Sequence, residues 1–238
     1  MAIRRPPPGN YLLVLVLLGA GLAALGGCAQ QDQTRIFQPT GRPLTGYPGQ
    51  RPELMTGPDT VWAAYRIGPK QYFAQPNDWT CSASSYIMVY RALTGKDLPL
   101  SEVVARTGAV EGVGAENRRV VEALKMLGPQ YEVITGQSSA HPKGKILPAN
   151  IRAAEKVREW VTLARLLRGG YLVILNFREP EEHGGHYGVL QGLNAQAIQI
   201  ADPYYGRVSV MPWESFDFRT GYSDPVLHGW SVAVRPKP

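Results

Sequence analysis

The dominant hydrophobic period of this chain changes near residue 170, and that change limits the folds open to it. Between residues 81 and 167 apolar residues recur at three- and four-residue spacing, the repeat of a helix face. From Tyr171 to the C terminus they run continuously or alternate, the pattern of strands. Helices first and strands second predict an α+β domain, a helical half packed on a mostly antiparallel sheet. The expected helices cover residues 81–93, 101–107, 115–127 and 150–167. The first turns Cys81, Ser85, Met88, Val89, Ala92 and Leu93 inward, with Asp78 or Thr80 capping its start and Gly95 ending it. The third buries Val120, Val121, Leu124 and Leu127. The fourth carries Ile151, Ala154, Val157, Val161 and Ala164 on one face and stops at Gly169-Gly170. Strands are expected at 131–135, 171–177, 187–193, 197–201, 208–211 and 230–234, with Asn194-Ala195-Gln196 as the turn between two of them.

Three segments precede or contain this pattern. Arg4 and Arg5 followed by the short apolar run 11–25 read as an export signal covering residues 1–27. It ends in Leu25-Gly26-Gly27-Cys28, which resembles the cleavage box of bacterial lipoproteins. The resemblance implies that Cys28 is acylated and becomes the new N terminus, giving a lipid membrane as one partner. Ala29 in place of Asp implies, by the same resemblance, the outer membrane facing the periplasm. Residues 28–58, rich in Gln, Pro, Gly and Thr, are expected to be a lipidated tether, because they offer too little apolar surface to offset ordering. Residues 59–238 then form one domain. The chain has 25 basic residues against 19 acidic, two of the basic ones in the signal, and the surplus is scattered; no nucleic-acid partner is expected.

With Cys28 assigned to lipid, Cys81 is the remaining cysteine. An exported chain in an oxidising compartment usually pairs its thiols, so a solitary one is a candidate nucleophile. Its expected place in the first turn of a helix, over unpaired backbone N–H groups, suits that chemistry. A thiol nucleophile needs a histidine to take its proton and a third group to orient the imidazole. His186 and Asp202 fit, because a sixteen-residue step spans two antiparallel strands joined at Asn194. Gln75 and the Cys81 N–H are candidate donors to the oxyanion. Trp79 is either a wall of the cleft or a core aromatic. His183 beside Glu181 and Glu182 offers no closed ligand set, so no metal is expected, and no cofactor motif is present. His141 and His228 are read as surface residues.

Gln-x5-Cys at a helix start, then Gly185-His186-Tyr187-Gly188-Val189-Leu190-Gln191-Gly192 and Ile200-Ala201-Asp202-Pro203-Tyr204-Tyr205-Gly206, resembles the bacteriocin (double-glycine) leader-processing peptidases. The likeness covers about residues 70–235. It implies a papain-like cysteine peptidase fold, a peptide or protein substrate, Cys81 as nucleophile, His186 as general base and then acid, Asp202 as its orienter, and Gln75 as oxyanion donor. Ser82 stands where the family usually has glycine. The function expected is peptide or amide hydrolysis through a Cys acyl-enzyme. Acyl transfer on the same intermediate, as in phytochelatin-synthase-like or transglutaminase-like relatives, and a catalytically silent peptide-binding domain are the alternatives.

Overall fold

The computed structural model describes residues 52–136, 149–178, 185–204, 207–213 and 230–238. Helices α1 (Cys81–Thr94), α2 (Leu100–Thr107), α3 (Asn117–Lys125) and α4 (Ala149–Arg168) precede most of the strands. The strands are β1 (Val61–Trp62), β2 (Tyr131–Gly136), β3 (Leu172–Arg178), β4 (Gly185–Leu193), β5 (Ala197–Asp202), β6 (Arg207–Pro212) and β7 (Trp230–Pro236). Six of them lie in the order β2-β7-β3-β4-β5-β6, and β1 pairs with the far end of β4. Each pairing is antiparallel. This is the expected α+β architecture.

The sheet separates two apolar cores. On one face Leu172, Ile174, Tyr187, Val189, Val232 and Val234 meet residues of α1, α2 and α3, including Tyr86, Met88, Val103 and Leu124. On the other, Val173, Leu175, Phe177, Leu190, Ile200 and Ala233 meet Leu163, Ala164, Leu166 and Leu167 of α4. Central β3 is covered on both sides, which is why 171–177 reads as a continuous apolar run rather than an alternating one. The helices therefore do not form a single layer: α4 sits behind the sheet.

Two helix faces differ from expectation. Val157 and Val161 of α4 are exposed, and the inward stripe joins the expected Ala164 to Leu163, Leu166 and Leu167 with half-buried Trp160. Burial reward scales with apolar area, so the larger Trp and Leu side chains take the core and the valines are turned out. Ile151 and Ala154 have side chains outside the described residues. Helix α1 has no single stripe, since every residue from Cys81 to Val89 is buried. It is packed against β4 as well as α2 and α3, and its Ala and Ser side chains are small enough to allow close approach on all sides. Gly95 ends it as expected, in the left-handed conformation at φ 68°.

The packed structure also reaches into the stretch expected to be tether. A 3₁₀ turn at Pro52–Met55 lies against β5 and β6, with Met55 buried beside Ala197 and Val210. Asn194 organises this corner. Its Oδ1 accepts the Gln196 and Ala197 N–H groups at 2.9 and 2.8 Å, and its Nδ2 donates to Leu54 O at 2.7 Å. The Asn194 carbonyl in turn accepts the Trp160 indole N–H at 2.8 Å, tying α4 to the same turn.

Candidate active site

His186 is the second residue of β4 and Asp202 the last of β5, two neighbouring strands whose ladder pairs Val189 with Ala201. Continuing that register one step puts Asp202 diagonal to His186 on the same sheet face, within side-chain reach. His186 Nε2 and Asp202 Oδ1 are 2.7 Å apart, with the imidazole 5% exposed and Asp202 fully buried. The same Oδ1 accepts the Tyr204 N–H at 2.9 Å, while Oδ2 is buried with no hydrogen-bond partner among the described residues. Phe177, the cross-strand partner of His186, meets the imidazole edge-on at 5.3 Å, and Tyr204 does so at 6.3 Å. The ring is thus held by a carboxylate and two perpendicular aromatics, removed from water, where electrostatic attraction is stronger than at the surface.

Cys81 is the first residue of α1 and is 4% exposed. It shares a buried cluster with Tyr187 and Ala201, the neighbours of His186 and Asp202 in sequence. Among the described residues no hydrogen bond joins its Sγ to His186. The expected cap is missing in chemistry though not in place: Thr80 occupies the N-cap position, but its hydroxyl makes no capping bond and is buried with no partner among the described residues. Asp78 is exposed. The Thr80 carbonyl accepts the Ser84 N–H at 2.9 Å, so the N–H groups of Cys81, Ser82 and Ala83 precede the first intrahelical bond. Ser82 is fully buried rather than projecting into solvent beside the thiol.

Gln75 is 6% exposed. Its amide Nε2 donates to Asn77 O at 2.7 Å, which fixes the side chain and leaves a second amide proton for another acceptor. Its backbone N–H donates to Pro203 O at 2.9 Å, so the residues leading into α1 run beside the Asp202 end of β5. This bond draws the start of α1 toward the His186–Asp202 pair. Trp79 is partly buried and belongs to neither core cluster. His141, His183 and His228 lie outside the described residues, and among those described no three His, Cys, Asp or Glu side chains gather as a metal site.

Sequence reasoning overlooked a buried polar network in the same part of the sheet. Asn176 Nδ2 donates to Asn117 Oδ1 at 2.7 Å. The Tyr187 hydroxyl lies 2.5 Å from that same oxygen and 3.0 Å from Ala115 O, its one proton serving both. This network joins the first turn of α3 to β3 and β4, reaching β4 through Tyr187, the residue after His186. Nothing local in the sequence marks it, since each member sits in an ordinary helix or strand pattern.

No family model matches the chain, and no curated protein is significantly similar to it. Solved structures do resemble it. One is the peptidase domain of Streptococcus ComA, a bifunctional ABC transporter involved in a quorum-sensing pathway, at 14% identity and TM-score 0.44, covering 69% of this chain and 97% of that one. Another is a double-glycine-motif protease from an AMS/PCAT transporter in complex with the leader peptide, at 18% identity and TM-score 0.47, covering 75% of this chain and 99% of that one.

Proposed function

We propose that this protein is a cysteine peptidase that cleaves a peptide or related amide through an acyl-enzyme on Cys81. The observation that carries the reading is the buried His186–Asp202 pair at 2.7 Å, beside a helix that begins with an uncapped cysteine. A carboxylate on Nε2 fixes the tautomer and ring orientation, so the proton of the thiol passes to Nδ1. The thiolate sulfur attacks the substrate carbonyl carbon and the C=O electrons move to oxygen. The oxyanion accepts hydrogen bonds from the Gln75 amide and the Cys81 N–H. His186 then protonates the departing amine as the C–N bond breaks. Water, deprotonated by the same imidazole, releases the acyl group and regenerates the thiol. Asp202 holds the ring in place and stabilises the imidazolium. Catalytic hydrogen bonds tighten as substrate binds, and the Cys81–His186 contact is assigned to that complex.

The full-length chain incubated with a peptide library and followed by mass spectrometry tests the reading. Hydrolysed products that vanish in Cys81→Ala support it. Products extended by an added amine or thiol mark an acyltransferase, and bound but intact peptides a silent binding domain. Cys81 that labels with an alkylator only after unfolding ends the enzyme reading altogether.

The envelope placement belongs to the same proposal. Acylation at Cys28 would hold the domain at the membrane surface, and no described helix is long and apolar enough to cross a membrane. Cys28→Ser is expected to move the protein out of the membrane fraction or block its processing; unchanged processing with unchanged membrane retention overturns this part.

A further inference from the structure

The nucleophile stands on α1 and the dyad on β4 and β5, and one short strap, residues 72–75, is bonded to both. On the sheet side the Tyr72 hydroxyl donates to the main-chain carbonyl of Asp202, and the Gln75 N–H donates to the next carbonyl, Pro203 O, at 2.9 Å. Two successive carbonyls of the turn after β5 are therefore gripped by the strap. On the helix side Arg91 of α1 donates from Nη1 to Tyr72 O at 2.8 Å, and its guanidinium lies 5.0 Å from the Phe73 ring centre. The rest of the guanidinium is held in a forked pair, Nε to Asp97 Oδ1 at 2.9 Å and Nη2 to Asp97 Oδ2 at 2.8 Å. The fork matches carboxylate geometry and leaves Arg91 little freedom to let go of Tyr72.

We propose that Tyr72 and Arg91 are positioning residues for the cysteine chemistry: they fix the strap between α1 and the end of β5, and so set Gln75 and Asp202 in place relative to Cys81. This inference rests on the peptidase reading above. Neither side chain needs to meet substrate. Tyr72 bonds the main chain of Asp202 and not its carboxylate, so losing the hydroxyl removes no charge and no oxyanion donor; it frees the backbone on which both are mounted. Displacements well under a bond length at such a site slow the chemical step while leaving ground-state binding largely intact.

Tyr72→Phe and Arg91→Lys in the full-length chain test it, measured for kcat, KM, unfolding temperature and the pH dependence of Cys81 alkylation by iodoacetamide. Tyr72→Phe keeps the ring that packs against the α1 core and deletes only the donor. It is expected to lower kcat about tenfold with KM within about twofold, and to shift the alkylation curve along the pH axis. Arg91→Lys, which keeps charge but loses the fork, should do the same to a smaller degree. The double variant should fall no further than the worse single one, because both act through one strap. Wild-type kcat and a wild-type alkylation curve in both variants overturn the proposal, even where the unfolding temperature drops, since that pattern describes a clasp of the fold alone. If the wild-type protein is alkylated in its folded state yet turns over no peptide, the peptidase reading fails, and the alkylation curves still decide whether the strap positions the dyad.

Discussion

On the sheet side of the site each polar side chain has a bonded partner, His186 with Asp202, Asp202 with the Tyr204 N–H, and Asn176 and Tyr187 with Asn117, although Asp202 Oδ2 and Asn176 Oδ1 are buried with no partner among the described residues. On the helix side the hydroxyls of Thr80, Ser82, Ser84 and Ser85 are all buried with no hydrogen-bond partner among the described residues. An unsatisfied buried polar group costs on the order of 1–3 kcal/mol, so these two regions differ in stability as well as in connectivity. The contrast fits the demands of the chemistry proposed. A base must be held in one orientation and one tautomer, which takes bonds on several sides. A nucleophile at a helix start works beside open N–H donors, and a side-chain cap there would consume them. A buried polar group without a partner in a native fold calls for an explanation, a functional role among them.

The largest effects that could break this comparison are catalytic. Asp202→Asn keeps the size of the side chain but removes the charged partner of the imidazolium, and it changes which proton the Nε2 contact carries. Turnover should fall further than in Gln75→Ala, for which the loss of one oxyanion donor predicts a drop of order 10² to 10³. Steady-state kinetics on both variants settles the ranking. Should both retain full turnover while Cys81→Ala does not, the thiol acts with other partners, and the bonded sheet side is ordinary core.

The next effect is on stability and tests whether the sheet side depends on its bonds. Asn194 links the β4–β5 turn, the Pro52–Met55 turn and, through its carbonyl, Trp160 of α4. Asn194→Ala strands two backbone N–H groups and the Leu54 carbonyl, and a cost of about 2–4 kcal/mol is expected in denaturant unfolding. A loss under about 0.5 kcal/mol would mean that water replaces these bonds freely and that the corner is not buried in solution.

Much of this arrangement could be read from residues alone, and the exceptions share a cause. The β4–β5 hairpin was legible because Asn194-Ala195-Gln196 interrupts two apolar runs, and the alternation on either side fixes how His186 and Asp202 meet. Strand β1 was not, because two residues carry no period. It exists through its partner: the Trp62 ring crosses β4 where residue 192 is glycine, and a Cβ there would lie 2.3 Å from Trp62 Cε3. The outward turn of Val157 and Val161 depends on which competing stripe offers the sheet more area. The roles of Tyr72 and Arg91 rest on bonds to residues 130 and 19 positions away, and no local pattern announces them. What sequence shows well is period and punctuation; what it hides is the long-range partner that settles a choice between two local possibilities.

The smallest effect is the sharpest test of the helix side. Ser84 lies in the first turn of α1, fully buried, and its hydroxyl has no partner among the described residues. Alanine there deletes an atom that is desolvated without compensation, and alanine is also the better helix former by roughly half a kcal/mol. Ser84→Ala is therefore expected to raise stability by about 0.5–1.5 kcal/mol, the opposite sign from Asn194→Ala. Thermal and denaturant unfolding read the change. The cavity left by one oxygen sets the limit, and since Ala83 beside it is already small, little neighbouring volume is lost. A destabilisation of 1 kcal/mol or more would show that the Ser84 hydroxyl is bonded in solution, to water or to the preceding turn, and that the helix side of the site is no poorer in bonds than the sheet side.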